Sequence, residues 1–137
     1  MLIVYGSTSS KSSKAAMRWL NEKGIAYTFR NIRKEKLTYE EIIQILHNTN
    51  NGLSDILTKK SYGAKEFQLK IDDLKLSQAI KLLLNEADRI RLPILKDEEK
   101  LQIGFKIGEI GYFVPKEKRD AISLTALSKL WELENVG

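Results

Sequence analysis

The first thirty residues alternate between two patterns, and this alternation limits the fold more than any other feature of the chain. Residues 2–5 are an uninterrupted apolar run that a glycine and a serine cluster end, which is typical of a buried strand. From about Ser12 to Lys23 apolar residues recur at helical spacing, and residues 25–29 form a second β-rich run. Because a strand–helix–strand unit of this length joins parallel strands by a right-handed crossover, an α/β opening is predicted.

The middle of the chain has a different character, because residues 31–90 contain helical segments with no convincing strand between them. Thr38 and Glu41 match a capping box, which marks the start of one helix. Three further helical segments are predicted near residues 53–57, 62–67 and 76–83. We therefore expect this part of the chain to be a helical insertion.

The last third of the chain returns to strand patterns. Two short apolar runs, at 94–95 and 101–105, flank the charged turn 97–100, which predicts a hairpin. Residues 117–134 then carry leucines at helical spacing. The predicted order is β-α-β, helical insertion, β-β-α. We expect a core and an insertion to divide the chain as follows: core 1–30 plus 91–137, insertion 31–90.

The composition excludes several classes of chemistry. The 137 residues include no cysteine and one histidine. Disulfides, zinc–thiolate sites, iron–sulfur clusters and thiol nucleophiles are therefore excluded, and most metal sites and Ser-His catalysis are removed as well. We expect neither a metal nor another cofactor. No apolar run approaches the roughly 18 residues that span a bilayer, so the protein is predicted to be cytoplasmic, without membrane contact.

The net charge of +5 is unevenly distributed along the chain. Residues 1–92 carry 16 basic and 10 acidic side chains, whereas residues 93–137 carry 7 and 8. A mild positive field over the first two-thirds favours acidic partners, such as nucleic acid or an acidic protein surface. The alternative is a lysine-rich surface that keeps the protein in solution. No basic run with interleaved aromatic residues decides between them.

Several separate segments resemble the Spx and arsenate-reductase-related (ArsC) family, with matching spacing and no large insertion up to about Pro115. These segments are Tyr5 to Ala15, Trp19-Leu20, Asn31-Ile32, 45–52, Arg91 to Leu95, and 97–105. The resemblance implies a thioredoxin-like α/β fold with a helical insertion at about 31–90. It also implies a Spx-type transcription regulator of the stress response, which binds RNA polymerase through the C-terminal domain of the α subunit and is not an enzyme.

Ser10 and Ser13 stand where redox-active Spx proteins have a Cys-x-x-Cys pair. Free amides and the dipole at a helix N-terminus stabilise a thiolate, but a serine hydroxyl ionises far too reluctantly to replace one and forms no disulfide. We therefore interpret the pair as a degenerate redox site, with no catalytic residue. Two alternatives remain: an ArsC-like arsenate reductase relative that lacks the catalytic thiol, or a redox-active Spx protein with engineered Cys-to-Ser substitutions.

A second departure from the family lies before Pro93, where the family has an arginine and this chain has Leu92, with Arg91 one residue earlier. Loss of both the cysteines and this arginine favours a natural, redox-insensitive relative. The serine loop also suggests an anion site at the helix start, where free amides would be joined by Ser10, Lys11, Ser13, Lys14 and Arg91. We favour the alternative, in which Ser9, Ser10 or Ser12 simply caps the helix.

Gly52 follows three polar residues at the end of the capped helix, where glycine commonly supplies a positive φ. The resemblance implies in addition that Gly52 lies in the surface that docks the C-terminal domain of the RNA polymerase α subunit, with His47 at its rim. Promoter DNA is then expected to bind weakly and only within that complex. The resemblance also implies a cis peptide bond before Pro93.

Overall fold

A computed structural model describes residues 1–106 of the chain. Short 3₁₀ helices at Gly52–Ile56 and Ala87–Arg89 interrupt the longer elements. The predicted helix at 117–134 lies outside the described residues. The strands and α-helices are β1 (Ile3–Gly6), α1 (Lys11–Glu22), β2 (Thr28–Asn31), α2 (Tyr39–Leu46), α3 (Ala64–Asp72), α4 (Leu76–Asn85), β3 (Ile94–Lys96) and β4 (Leu101–Ile103).

The four strands form one mixed sheet in the order β2-β1-β3-β4. β1 pairs in parallel with β2, Ile3 opposite Thr28, and antiparallel with β3, Ile3 opposite Lys96. β3 and β4 pair antiparallel as a hairpin. The predicted parallel pair β1–β2 and the predicted β3–β4 hairpin are both confirmed. The hairpin joins the parallel pair because β3 is hydrogen-bonded to β1.

The second strand begins three residues later than the sequence pattern predicts. Gly24 adopts a φ of +66°, its N–H donates to the carbonyl of Asn21 at 3.1 Å, and the N–H of Ile25 donates to Leu20 at 2.9 Å. This pair of hydrogen bonds is a Schellman motif, which ends α1 and carries a buried apolar residue just after the glycine. Ile25 is therefore buried as part of the helix end, and β2 pairs only from Thr28.

Two apolar clusters cover the two faces of the sheet. Tyr5 and Ile94 point into the larger cluster with the buried residues of α2, α3 and α4, whereas Val4 and Leu95 pack with α1. Successive strand residues face opposite sides, so β1 and β3 each supply both clusters. Each fully buried aliphatic side chain contributes about 2 kcal/mol of hydrophobic free energy. The division into a core and an inserted unit stays a prediction.

Two local predictions are confirmed beside the sheet. Thr38 and Glu41 form the capping box of α2, in which the Glu41 N–H donates to Thr38 Oγ1 at 3.1 Å and the Thr38 N–H donates to Glu41 Oε1 at 2.9 Å. The Leu92–Pro93 peptide bond is cis. None of the helices within residues 1–106 is long and apolar enough to cross a bilayer.

Candidate functional site

The serine loop connects β1 to α1, and Ser10 is the N-cap of that helix. Its backbone is extended, with φ −83° and ψ 119°, and its Oγ accepts a hydrogen bond from the N–H of Ser13 at 3.1 Å. Ser and Thr are preferred at this position because their oxygen satisfies an amide that has no partner within the helix. The predicted cap is confirmed, and it falls on Ser10.

Ser13 is fully buried against β1. Its Oγ accepts a hydrogen bond from the N–H of Ser7 at 3.4 Å, and 0% of the residue is exposed. A Cβ placed on Gly6 would lie 2.6 Å from Ser13 Oγ and 2.9 Å from Ser13 Cβ. Glycine at position 6 therefore creates the space that Ser13 occupies, and the helix start packs directly on the strand.

The remaining polar groups of the loop are largely paired with one another. Ser7 and Ser9 hydroxyls lie 3.1 Å apart, and the Ser10 N–H donates to the Ser7 carbonyl at 3.3 Å. Lys11 and Lys14 are exposed. No cluster of metal-ligating side chains is present within residues 1–106. The loop is thus built as a helix cap, and an anion bound here stays a prediction.

The turn around Gly52 has the opposite character, because its glycine faces open space. Gly52 adopts a φ of +70°, as predicted, and a Cβ added there would meet nothing within 4 Å. Gly52 begins the 3₁₀ helix Gly52–Ile56, whereas α2 already ends at Leu46. His47 is the C-cap of α2 and is exposed. The structure therefore places His47 and Gly52 at the two ends of one polar connection.

Asp55 organises this connection, and sequence reasoning missed it. Its Oδ2 accepts hydrogen bonds from the backbone N–H groups of Asn50 at 3.0 Å and Asn51 at 2.9 Å. These bonds, above all the one from Asn51, hold the pKa of the Asp55 carboxyl below its ordinary value. The sequence did contain an indication of this role. Asp55 follows Asn50-Asn51-Gly52 closely and lies in the first turn of the next helical segment, where a carboxylate commonly accepts hydrogen bonds from free backbone amides.

A second set of contacts anchors the start of α2. Arg30 in β2 donates to Glu41 at 2.7 Å and to the Lys36 carbonyl at 2.8 Å. Burial raises the pKa of the Tyr5 hydroxyl, and the nearby Glu41 carboxylate raises it further. Arg30 therefore ties the N-terminal end of α2 to the sheet, and His47 follows at the C-terminal end of the same helix.

A polar pocket of about 280 Å³ lies beside the Gly52 turn. Asn48 closes one side, because its Nδ2 donates to the Glu99 carbonyl in the β3–β4 turn at 2.8 Å. The pocket is lined by the turn residues 48–51, by Asp55, Lys59, Arg91 and Lys106, and by residues 101–103 of β4. The sequence pattern grouped Arg91 with the serine loop, but its described surroundings are this pocket and Gly104.

A larger cleft of about 600 Å³ lies between Arg33, Tyr62 and Arg89. Both arginines are already engaged: Arg33 pairs with Asp88, and Arg89 donates to the Tyr62 carbonyl at 2.5 Å and lies 5.5 Å from the Phe67 ring centroid. Both arginine side chains therefore already have partners within the protein, which makes the cleft a weaker candidate than the pocket beside Gly52.

Comparison with known proteins supports the resemblance. The model of the ArsC family matches residues 5–113. The chain is 33% identical over 124 residues to global transcriptional regulator Spx 2 of Bacillus anthracis, covering 90% of this chain and 95% of that protein. It is 36% identical over 119 residues to global transcriptional regulator Spx 1 of Bacillus cereus, covering 87% and 91%.

A solved structure shares the fold. The crystal structure of a possible arsenate reductase from Streptococcus mutans UA159 superposes with a TM-score of 0.65 at 27% identity, covering 77% of this chain and 92% of that one. The α/β, thioredoxin-like fold expected from the sequence is therefore confirmed.

Proposed function

The chain belongs to the ArsC family, within which its curated relatives are Spx-type transcriptional regulators, and we propose that it binds the RNA polymerase α subunit. The contact is with the C-terminal domain of that subunit and is made through the Gly52 turn, with His47 at its rim. The binding does not depend on the redox state of the protein. Promoter DNA joins only as part of this complex.

The observation that carries this proposal is the open backbone at Gly52. The Asp55 carboxylate holds the turn through hydrogen bonds from Asn50 and Asn51, and the space where a Cβ of residue 52 would lie is empty. A partner backbone can approach such a surface closely, and little conformational entropy is lost because the turn is already ordered. The surface therefore suits docking of a preformed protein domain.

The serine pair supports redox-independent action. Ser10 serves as a helix cap and Ser13 is buried, and neither hydroxyl becomes a nucleophile comparable to a thiolate. The rival function is arsenate reduction, which the name of the Streptococcus mutans relative suggests. An arsenic–thiolate intermediate requires a cysteine, and the sequence contains none. The regulator is therefore the better-supported function.

Weak DNA contact fits the charge distribution. Residues 1–92 carry an excess of basic side chains, which favours a position near the negative phosphates of the promoter. We expect weak affinity for DNA alone and a shallow dependence on salt, because few phosphates would be neutralised. Tight, sequence-specific DNA binding by the isolated protein contradicts this part of the proposal.

Calorimetric titration of the polymerase α C-terminal domain into three proteins tests the docking surface: wild type, Gly52→Arg and Gly52→Ala. Both variants carry the same strain from a positive φ, but only arginine projects a long charged side chain into the contact. We expect binding by wild type and Gly52→Ala and none by Gly52→Arg, with similar thermal melts for both variants. If wild type and Gly52→Arg bind with equal affinity, Gly52 does not lie in the interface.

Redox independence is tested by repeating the titration with and without diamide, a thiol-specific oxidant. The matched control is the double variant Ser10→Cys/Ser13→Cys, which places a Cys-x-x-Cys pair at the helix N-terminus. We expect the wild-type affinity to stay constant and that of the double variant to change with oxidation. A diamide-dependent affinity of the wild type contradicts the proposal.

A further inference from the structure

The sequence contains a single Asn-Gly pair, Asn51-Gly52, and this pair lies in the turn proposed to dock the polymerase domain. Asparagine is chemically labile, because the backbone nitrogen of the next residue can attack its side-chain amide carbon. Glycine favours this attack, since it places no side chain beside the attacking nitrogen. The turn therefore combines a labile residue with the surface on which binding depends.

The surroundings of the pair leave this reaction open. Asn51 is exposed to water, and the space where a Cβ of residue 52 would lie is empty within 4 Å. Among the hydrogen bonds found within residues 1–106, those of the turn use the N–H groups of Asn50 and Asn51, and none uses the N–H of Gly52. In the described part of the chain, the attacking nitrogen therefore has no hydrogen bond to give up.

The Asp55 carboxylate restrains the same turn. It accepts hydrogen bonds from the Asn50 N–H at 3.0 Å, from the Asn51 N–H at 2.9 Å and from Asn51 Nδ2 at 3.3 Å. Asn51 has φ −122° and ψ 19°, and this ψ differs from the one that a five-membered ring between its side chain and the next nitrogen requires. The turn must therefore open locally before the ring closes, and the contacts of Asp55 set how often it opens.

From these observations we propose that Asn51 is a site of spontaneous deamidation. A solvent base takes the proton of the Gly52 N–H, and the nitrogen forms a bond to Asn51 Cγ. The Cγ–Nδ2 bond breaks, and Nδ2 takes a proton from solvent and leaves as ammonia. Water then opens the cyclic imide, which leaves aspartate or isoaspartate at position 51. The reaction consumes water and releases ammonia, so it requires neither an oxidant nor a cofactor.

Both products disturb the ordered turn. Each places a second carboxylate beside that of Asp55, in the position from which Asn51 Nδ2 donated, and like charges this close repel each other. Isoaspartate also routes the backbone through its side chain, which adds a methylene group to the main chain immediately before Gly52. The docking surface, which rests on the proposed function, is therefore lost as the protein ages, most completely in the isoaspartate form.

The modification is measured on the full chain during incubation at mildly alkaline pH. Peptide mapping by mass spectrometry locates the deamidated residue, and methyl transfer by an isoaspartyl methyltransferase counts isoaspartate. We expect both signals at Asn51 and neither at Asn48 or Asn50, at a rate below that of an unstructured peptide of residues 45–57. Asp55→Ala should react about fivefold to thirtyfold faster than wild type, because the turn opens more often. If wild type stays unmodified once the peptide has reacted completely, the proposal is overturned.

The effect on the turn is measured by comparing fresh and aged protein. Asn51→Gln is the matched control, because it keeps a side-chain amide but would have to close a six-membered ring, a much slower reaction. We expect ageing to speed hydrogen exchange at the Asn50 N–H in wild type and to leave Asn51→Gln unchanged. Asn51→Asp should have a smaller effect than ageing, since it adds the charge without lengthening the backbone. Unchanged exchange in the deamidated protein overturns the loss of the turn.

Binding is measured by titration calorimetry of the same samples with the polymerase α C-terminal domain. We expect the fraction of binding-competent wild type to fall in proportion to its isoaspartate content, and that of Asn51→Gln to stay constant. Full binding by isoaspartate-containing protein overturns the effect on docking while the proposed function stands. If fresh wild type does not bind, the proposed function fails, and the mass and exchange measurements still decide whether Asn51 deamidates and unfastens the turn.

Discussion

The serine loop and the Gly52 turn use the same device for opposite purposes. In each, a side-chain oxygen accepts hydrogen bonds from nearby backbone N–H groups, Ser10 Oγ in the loop and Asp55 Oδ2 in the turn. In each, a glycine is required. Gly6 faces the buried Ser13, whereas Gly52 faces open space. The loop therefore supports the fold, and the turn leaves its backbone available for contact.

The largest loss of stability is expected from Gly6→Ala, which adds a methyl group where the serine loop packs on Ser13. The new Cβ would overlap both the Oγ and the Cβ of Ser13, and helix α1 must shift to relieve the overlap. Overpacking of this kind typically costs 1–3 kcal/mol, and we expect about 2 to 3 kcal/mol from urea unfolding. Gly6→Ala/Ser13→Gly should recover part of the loss. Wild-type stability of Gly6→Ala would show that the helix start accommodates a methyl group.

A smaller loss of stability is expected from Gly52→Ala, because only backbone strain is involved. A Cβ there meets no neighbour, but a φ of +70° costs an L-residue about 1 to 2 kcal/mol. Gly52→Asn should lose less, since asparagine tolerates the left-handed region better. Urea unfolding of both variants measures the difference. If alanine and asparagine cost the same, backbone strain is not the cause.

The cap of α1 is worth about 1 kcal/mol, and Ser10→Ala removes it. The N–H of the buried Ser13 then loses its partner. The matched control is Ser12→Ala, which changes an exposed residue of the same helix turn and should leave stability equal or slightly higher. Equal stability of the two variants, measured by thermal melts, would mean that the cap adds nothing.

The smallest effect is the pH dependence from Asp55. Its folded-state pKa lies below the ordinary value of 3.8. Its contribution to stability is therefore complete above about pH 4 and is lost as the pH falls through the lower folded-state pKa. We expect wild type to exceed Asp55→Asn in stability near neutral pH, with the gap closing below pH 4. Urea midpoints measured across this range would refute the idea if the gap stays constant.

The serine loop shows how far local patterns predict a functional site, and the anion site there stays a prediction. Local chemistry suggested it, because free amides and cations gather at the start of a helix. The same chemistry also suggested the cap, and the structure shows the cap on Ser10. The position of Arg91 depends on which distant residues pack beside it, and no local pattern carries that information.

By itself, the sequence determined the features that arise from neighbours along the chain. These include the order of helices and strands within residues 1–106, the capping box of α2, the cap on α1, the hairpin and the positive φ of Gly52. Each depends on residues within a few positions of one another, where spacing and side-chain type limit the backbone directly.

Only the tertiary structure decided what these local features face. The packing of α1 on β1 buried Ser13 against Gly6. The packing of the helices against the sheet brought Arg91 beside the turn at 48–55, some forty residues earlier in the chain. Such contacts are set by the burial of many side chains at once, a cooperative property that no short segment encodes.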